Sequence, residues 1–437
     1  MKTQDYIKML TEFEPAAIRF LPNIVWASAD GYYVTDTDGK KRVDFCSGAM
    51  IANSGHNNKA IINAIKKQLD TGVYTTYLFP NIPRCELLSL FSTLIPPNYL
   101  TALFNTGAEA VESAVKIARV YAYKVLKNKG TVISFNNSYH GRLIGSTAIS
   151  GTESIKYWIP MPVQEALSIQ VPFPSCPYES KPHNFNDFLN SIHEKNIDVK
   201  DIAAVIIEPY QGSSCAFLPR DFSEELRQWC DRHKILIISD EVQSGMGRTG
   251  KLWGYEHLGI TPDLIVAGKG LSACLPISAV SARKDLFDLC EPGNFNSTHS
   301  GNPICSSAAI ANIHYMLDHK LVENAEKMGI LLNESLMKIK NKYPWFIGHV
   351  LGKGLAYAIL IDINYKHLLK ALLDRCIKNG VLLIGGGFAG TTIKIVPPLI
   401  IDATGIKKGC EIIEKSVQEI IEENNLGDKS HVSEKNL

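Results

Sequence analysis

Five short apolar runs constrain this chain more than anything else in it: TVISF from Thr131, AAVIIE from Ala203, ILIISD from Ile235, DLIVAG from Asp263 and ISAVSA from Ile277. They are rich in β-branched residues, unbroken by charge, and separated by longer polar or helical stretches. A strand with one wet face alternates apolar and polar residues, whereas a strand covered on both faces does not. The runs therefore predict an α/β fold whose mostly parallel sheet is sandwiched by helices.

Ahead of them, GAEAVESAVKIARVYAYKVLK repeats apolar residues at helical spacing through Val111, Ala114, Val115, Ala118, Tyr121, Ala122 and Val125. Asn105-Thr106-Gly107 would open this helix. The flanks read differently. Residues 1–50 suggest a short helix and a hairpin, YYVTDTDGKKRVDF, turning at Asp-Gly. After Ser306 come amphipathic helices and the strands LAYAILID and TTIKIV. The expected organisation is a large domain over 51–305 and a smaller α+β domain built from both chain ends, 1–50 and 306–423. The polar stretch 424–437 is expected to be unstructured.

Charge and cysteine use exclude several functions. Against 45 Lys+Arg stand 44 Asp+Glu, so no net field attracts nucleic acid or an anionic membrane. Ten cysteines without a C-x-x-C pair argue against zinc and against a disulfide framework, and suggest a reducing cytoplasm. The first twenty residues lack the apolar core of a signal peptide, and no run reaches 18 apolar residues. The expected partners are small molecules and other copies of the chain, with no metal, membrane or nucleic acid.

The run ILIISD leads into EVQSGMGRTG, whose Gly245, Gly247 and Gly250 have the G-x-G-x-x-G spacing of a dinucleotide site. That motif needs its first glycine directly after the strand and a helix after its last. Here DEVQS intervenes and KLWGYEHLG, broken by Gly254 and Gly259, follows, so an NAD-dependent oxidoreductase is a remote alternative. Four other features point elsewhere. Asp240 ends a strand where doubly wound sheets bind ligands, and a buried acid there needs a resident cation. Lys269 follows another strand between Gly268 and Gly270, which give the backbone room to turn. A lysine losing hydration there gains a lone pair for Schiff-base chemistry. Gly107 and Ala108 stand at a helix mouth suited to an anion, although Thr106 could serve there only as a cap. In SFNNSYHGR, Tyr139 could lie on a flat ring and Arg142 could fork a carboxylate, though each also fits a structural role. Together they describe a ligand that is anionic at one end, cationic at a ring nitrogen and electrophilic towards an amine: pyridoxal 5'-phosphate.

With DEVQSGMGRTG followed by DLIVAGKG, the chain resembles the class III aminotransferases, the pyridoxal-phosphate group that includes ornithine, acetylornithine and 4-aminobutyrate aminotransferases. The resemblance runs roughly from Trp26 to Asp402 and implies the fold type I of pyridoxal-phosphate transferases, with a seven-stranded-type sheet. It implies that Lys269 binds the cofactor's aldehyde and shuttles the proton, while Asp240 keeps the pyridine nitrogen protonated. Val242 and Tyr139 would take the two ring faces, Gln243 the 3'-oxygen, and Gly107 and Ala108 the phosphate. Glu208 carries over as a further cofactor-binding position. Thr298, in NSTHSGNP, would reach the phosphate of a neighbouring subunit, implying a homodimer with shared sites.

Two positions depart from the family pattern. Lys394 in TTIKIVPPL stands where members acting on α-amino acids carry an arginine for the α-carboxylate, and lysine cannot reproduce that fork. Ser213 replaces the glutamate that pairs with that arginine in many ω-aminotransferases. With Trp26 and Arg142, these form the expected substrate-binding set. The departures favour an amine, amino sugar or ω-amino compound as one substrate and a 2-oxo acid or amino acid as the other. A racemase or epimerase on the same fold, needing the same Lys269 and Asp240, is the alternative.

Overall fold

The computed structural model describes residues 1–18, 24–76, 78–177, 179, 181–387 and 389–426. Two compact units make up the chain, one over residues 59–323 and one from both ends, 1–58 and 324 onward. Composition suggested breaks near 50 and 305. The helix Pro303–Asp318 belongs with the larger unit because it packs on Lys59–Asp70 and Ile82–Ser92.

The larger unit is built on a seven-stranded sheet. From edge to edge its strands are Tyr99–Phe104, Ser278–Arg283, Leu264–Ala267, Leu236–Asp240, Ile202–Ile207, Thr131–Phe135 and Ser168–Val171. The five from Leu264–Ala267 to Ser168–Val171 pair in parallel. Ser278–Arg283, the run ISAVSA, is antiparallel to both neighbours. Every residue of Thr131–Phe135, Ile202–Ile207, Leu236–Asp240 and Leu264–Ala267 is buried, as unbroken apolar runs require.

The helix Gly107–Tyr121 covers one face. Thr106 caps it, its hydroxyl accepting from the Glu109 N–H while the Glu109 carboxylate reaches back to the Thr106 N–H. Ala110, Val111, Ala114, Val115, Ile117 and Ala118 are buried against Ile206, Ile238, Val266 and Val280. Each fully buried aliphatic side chain contributes about 1.5–3 kcal/mol. Ala122–Leu126 continues as a π-turn, whose extra residue rotates the apolar stripe, so Val125, expected on the core face, is exposed.

In the smaller unit the expected hairpin forms between Tyr33–Asp36 and Lys41–Asp44, with Gly39 at φ 80°. Trp26–Asp30 and Val381–Leu382 complete that four-stranded sheet. A second sheet holds Ile347–Lys353, Ala356–Ile361, Thr392–Ile395 and Ile384–Gly386. After the helix Ala403–Glu423, Asn424–Leu426 form a hydrogen-bonded turn rather than the start of an unstructured tail, and residues 427–437 lie outside the described residues. Among the described residues no helix is long and apolar enough to cross a membrane.

Parallel pairing sends the C-terminal ends of four neighbouring strands to one edge. It delivers the loop after Phe135, then Glu208, Asp240 and the Gly268–Gly270 turn, to one place.

Candidate active site

At that edge lies a cavity of about 410 Å³. The helix mouth contributes Thr106, Gly107 and Ala108, and the loop after Phe135 contributes Tyr139 to Leu143, with Arg142 exposed among them. Asp240, Val242, Gln243 and Lys269 complete the walls. Eight of the residues singled out in the sequence thus share one space.

Asp240 is only 5% exposed. Its Oδ1 accepts from the Val242 N–H at 3.1 Å, and its Oδ2 lies 2.7 Å from Nδ1 of the fully buried His140. The chain itself thus supplies a hydrogen-bond donor to the buried Asp240 carboxylate. Burial alone would lower the His140 pKa, but the hydrogen bond to Asp240 and the charges of Asp240 and Glu208 outweigh it and raise it. Glu208 backs the wall instead of lining it: its oxygens accept from the Gly212 and Tyr139 N–H groups, each at 3.1 Å. Burial pushes its carboxyl up to about 7; the nearby His140 opposes the shift, Asp240 adds to it, and the two N–H bonds oppose it.

Lys269 sits at φ 29°, so the lysine itself adopts the left-handed turn that the flanking glycines were expected to provide. Such backbone costs on the order of 1–3 kcal/mol and collects at functional sites. Val242 wedges against the helix mouth, where a Cβ on Gly107 would come within 3.0 Å of its Cγ1. Gln243 lays its amide on Gly212, where any side chain would collide with it.

Four singled-out residues lie elsewhere. Ser213 donates its hydroxyl to the Asn137 carbonyl, tying down the loop that leads to Tyr139. Thr298 is exposed on a loop fixed to the sheet through Asn105 Nδ2 and Ser297 Oγ at 2.8 Å. Trp26 and Lys394 belong to the smaller unit. Trp26 stands edge-on to His56 at 5.7 Å, and Lys394 pairs with Ala358 and Ile384 within its sheet. His140 is the residue that sequence reasoning missed; its only signal was its place after the aromatic in SYHGR.

The G-x-G-x-x-G stretch serves the scaffold. Gly247 and Gly250, at φ 83° and 82°, turn the chain back so that the Gly247 N–H meets the Leu252 carbonyl. The short 3₁₀ segment Gly254–Leu258 follows where a dinucleotide site needs an α-helix.

The residues present fit pyridoxal 5'-phosphate. A helix mouth with N–H groups outside the helical ladder faces an anion. Tyr139 and Val242, the anchored Asp240 carboxylate and Lys269 stand within the same walls, and would suit a ring that carries a cationic nitrogen and an aldehyde. Among the described residues no group of His, Cys, Asp and Glu could hold a metal ion.

The family profile Aminotransferase class-III matches residues 17–417. This chain is a class-III aminotransferase. Its relatives include the 5-aminovalerate aminotransferase DavT of Pseudomonas putida, 32% identical over 89% of this chain and 92% of that protein. The leucine/methionine racemase of Thermococcus litoralis is 30% identical over 98% of each. Among solved structures, the ornithine aminotransferase of Toxoplasma gondii ME49 matches with a TM-score of 0.86 at 27% identity, over 97% of this chain and 96% of that one. The aminotransferase has the type I transferase fold and uses pyridoxal 5'-phosphate.

Proposed function

We propose that this aminotransferase moves an amino group between an amine, amino sugar or ω-amino compound and a 2-oxo acid, with Lys269 as the reacting amine. The observation that carries the assignment of residues is the convergence of Lys269, Asp240 and the Gly107–Ala108 helix mouth on one cavity. Pyridoxal 5'-phosphate, when bound, supplies an aldehyde for the amine and a protonated ring that draws electrons from the substrate carbon. Lys269 Nζ would take the proton from that carbon and deliver it to the carbon that was the bound cofactor's aldehyde. Asp240 holds a negative charge against the ring nitrogen, and Val242 and Tyr139 fix the ring plane. Gln243 donates to the 3'-oxygen, Gly107 and Ala108 offer N–H groups to the phosphate, and Glu208 steadies the Tyr139 backbone.

The substrate reading draws on two positions. Lys394 offers a single ammonium where a bidentate fork serves α-carboxylates. The Ser213 hydroxyl is already engaged with Asn137, so it does not replace a gating glutamate. Relatives named for 5-aminovalerate and 4-aminobutyrate, which carry terminal amines, support the same direction. Thr298, exposed on its loop, is assigned to the phosphate of a second copy, which makes the enzyme a homodimer with shared sites in the cytoplasm. The likeness to a racemase gives the second reading.

Two measurements test this. Borohydride treatment of the cofactor-loaded protein is expected to fix the label on Lys269; a label elsewhere, or turnover by Lys269→Ala, would refute the mechanism. Steady-state assays over amines, amino sugars, ω-amino acids and α-amino acids are expected to find a terminal amine preferred, with turnover requiring a 2-oxo acid. Preference for the α-amine of an amino acid such as alanine over every terminal amine would sink the substrate assignment, and inversion of an amino acid without any 2-oxo acid would favour the racemase.

A further inference from the structure

Asp240 is held by a residue outside its own strand, and this inference rests on the pyridoxal-phosphate reading above. Its carboxylate is tied at both ends, Oδ1 by the Val242 N–H at 3.1 Å and Oδ2 by His140 Nδ1 at 2.7 Å. A carboxylate only accepts, so Nδ1 carries the hydrogen whatever the state of Nε2. Nε2 is buried without a hydrogen-bond partner among the described residues, so the contact with Asp240 is the polar anchor of the ring. The His140 backbone is fixed in turn, its N–H donating to Ser150 Oγ at 2.9 Å. Facing the imidazole are the carboxylates of Asp240 and Glu208, while Lys269 and Arg142 line the same cavity as Asp240.

We propose that His140 is a positioning residue: its Nδ1–H fixes the rotation of the Asp240 carboxylate so that it faces the cofactor's ring nitrogen. The argument is one of satisfaction. Without this donor the nearly inaccessible Asp240 keeps a single hydrogen bond, to Val242, and a buried carboxylate left short of partners turns away or takes up a proton. Either outcome withdraws the anion from the ring. Partners that orient a ligand-holding group in this way are worth about 10–100-fold when removed.

The test compares wild type, His140→Ala, His140→Asn and His140→Gln, each loaded with pyridoxal 5'-phosphate. The readouts are the visible absorbance of the bound cofactor as a function of pH, and kcat and KM. For His140→Ala the absorbance midpoint is expected to move by about one unit or more and kcat to fall about 10–100-fold, with KM changed less than about twofold. His140→Asn, whose amide can place a donor near the Nδ1 position, is expected to stay near wild type. His140→Gln moves the donor towards the Nε2 position and is expected to behave like the alanine variant, which keeps the test alive if alanine prevents folding. An unmoved midpoint in His140→Ala, or a wild-type-like His140→Gln, overturns the inference alone. A wild type with no visible band after loading defeats the cofactor reading and this inference together.

Discussion

Asp240 and Glu241 are consecutive, both acidic and both buried, at 5% and 1% exposure, yet their surroundings assign them opposite work. Asp240 meets one backbone N–H and a histidine, and it faces the cavity. Glu241 faces the scaffold, where each of its oxygens accepts two hydrogen bonds: from Ser239 Oγ and the Tyr255 N–H on one side, and from Ser244 Oγ and the Gly254 N–H on the other. Burial raises the Glu241 pKa, and those four donors oppose the rise. A saturated carboxylate has no capacity left for a ligand, whereas one with spare lone pairs on a cavity wall has.

Substitutions at the two positions should separate activity from stability. The largest effect is expected from Asp240→Asn, which keeps size but loses charge: kcat should fall about a thousandfold or more, on the order of 4 kcal/mol at the transition state, while the cofactor still binds. A loss of only tenfold would mean that Asp240 does not set the charge on the ring. For Glu241→Ala the order reverses. Four donors, three of them buried, lose their acceptor, so chemical denaturation should report a loss on the order of 3 kcal/mol, with kcat of the folded fraction within about tenfold of wild type. Equal kinetic damage at both positions would erase the distinction.

Glu208, another buried acid behind the cavity wall, sharpens it further. Its carboxyl titrates near 7 in the folded protein against an ordinary 4.5. Between those values the folded state keeps a proton that the unfolded state has released. Stability from this group is therefore fully present below about pH 4.5, falls as pH rises towards 7, and levels off above. The span corresponds to roughly 3–4 kcal/mol. Glu208→Gln should flatten that part of the stability curve, and an unchanged slope would place the titration elsewhere.

The contrast also marks where sequence reading stops. Continuous β-branched runs gave away the buried strands, and strand ends singled out Asp240 and Lys269, because both signals are local. Nothing local distinguishes Asp240 from Glu241. Their difference is made by His140, a hundred residues away along the chain, and by Gly254 and Tyr255, which a turn brings back. The reversed direction of Ser278–Arg283 was equally invisible, since a strand's composition does not record which way it runs. Val125 was misplaced because a π-turn breaks the 3.6-residue period from which its face was read.

The backbone at Lys269 carries one more implication. Glycine occupies left-handed conformations about as readily as right-handed ones, whereas an L-residue pays about 1–2 kcal/mol to do so. On backbone grounds alone, the inactive Lys269→Gly enzyme should hold this turn more comfortably than the native protein does. Selection for thermal endurance without selection for turnover would thus tend to remove the amine on which the proposed reaction depends, a trade-off between durability and catalysis confined to a single residue.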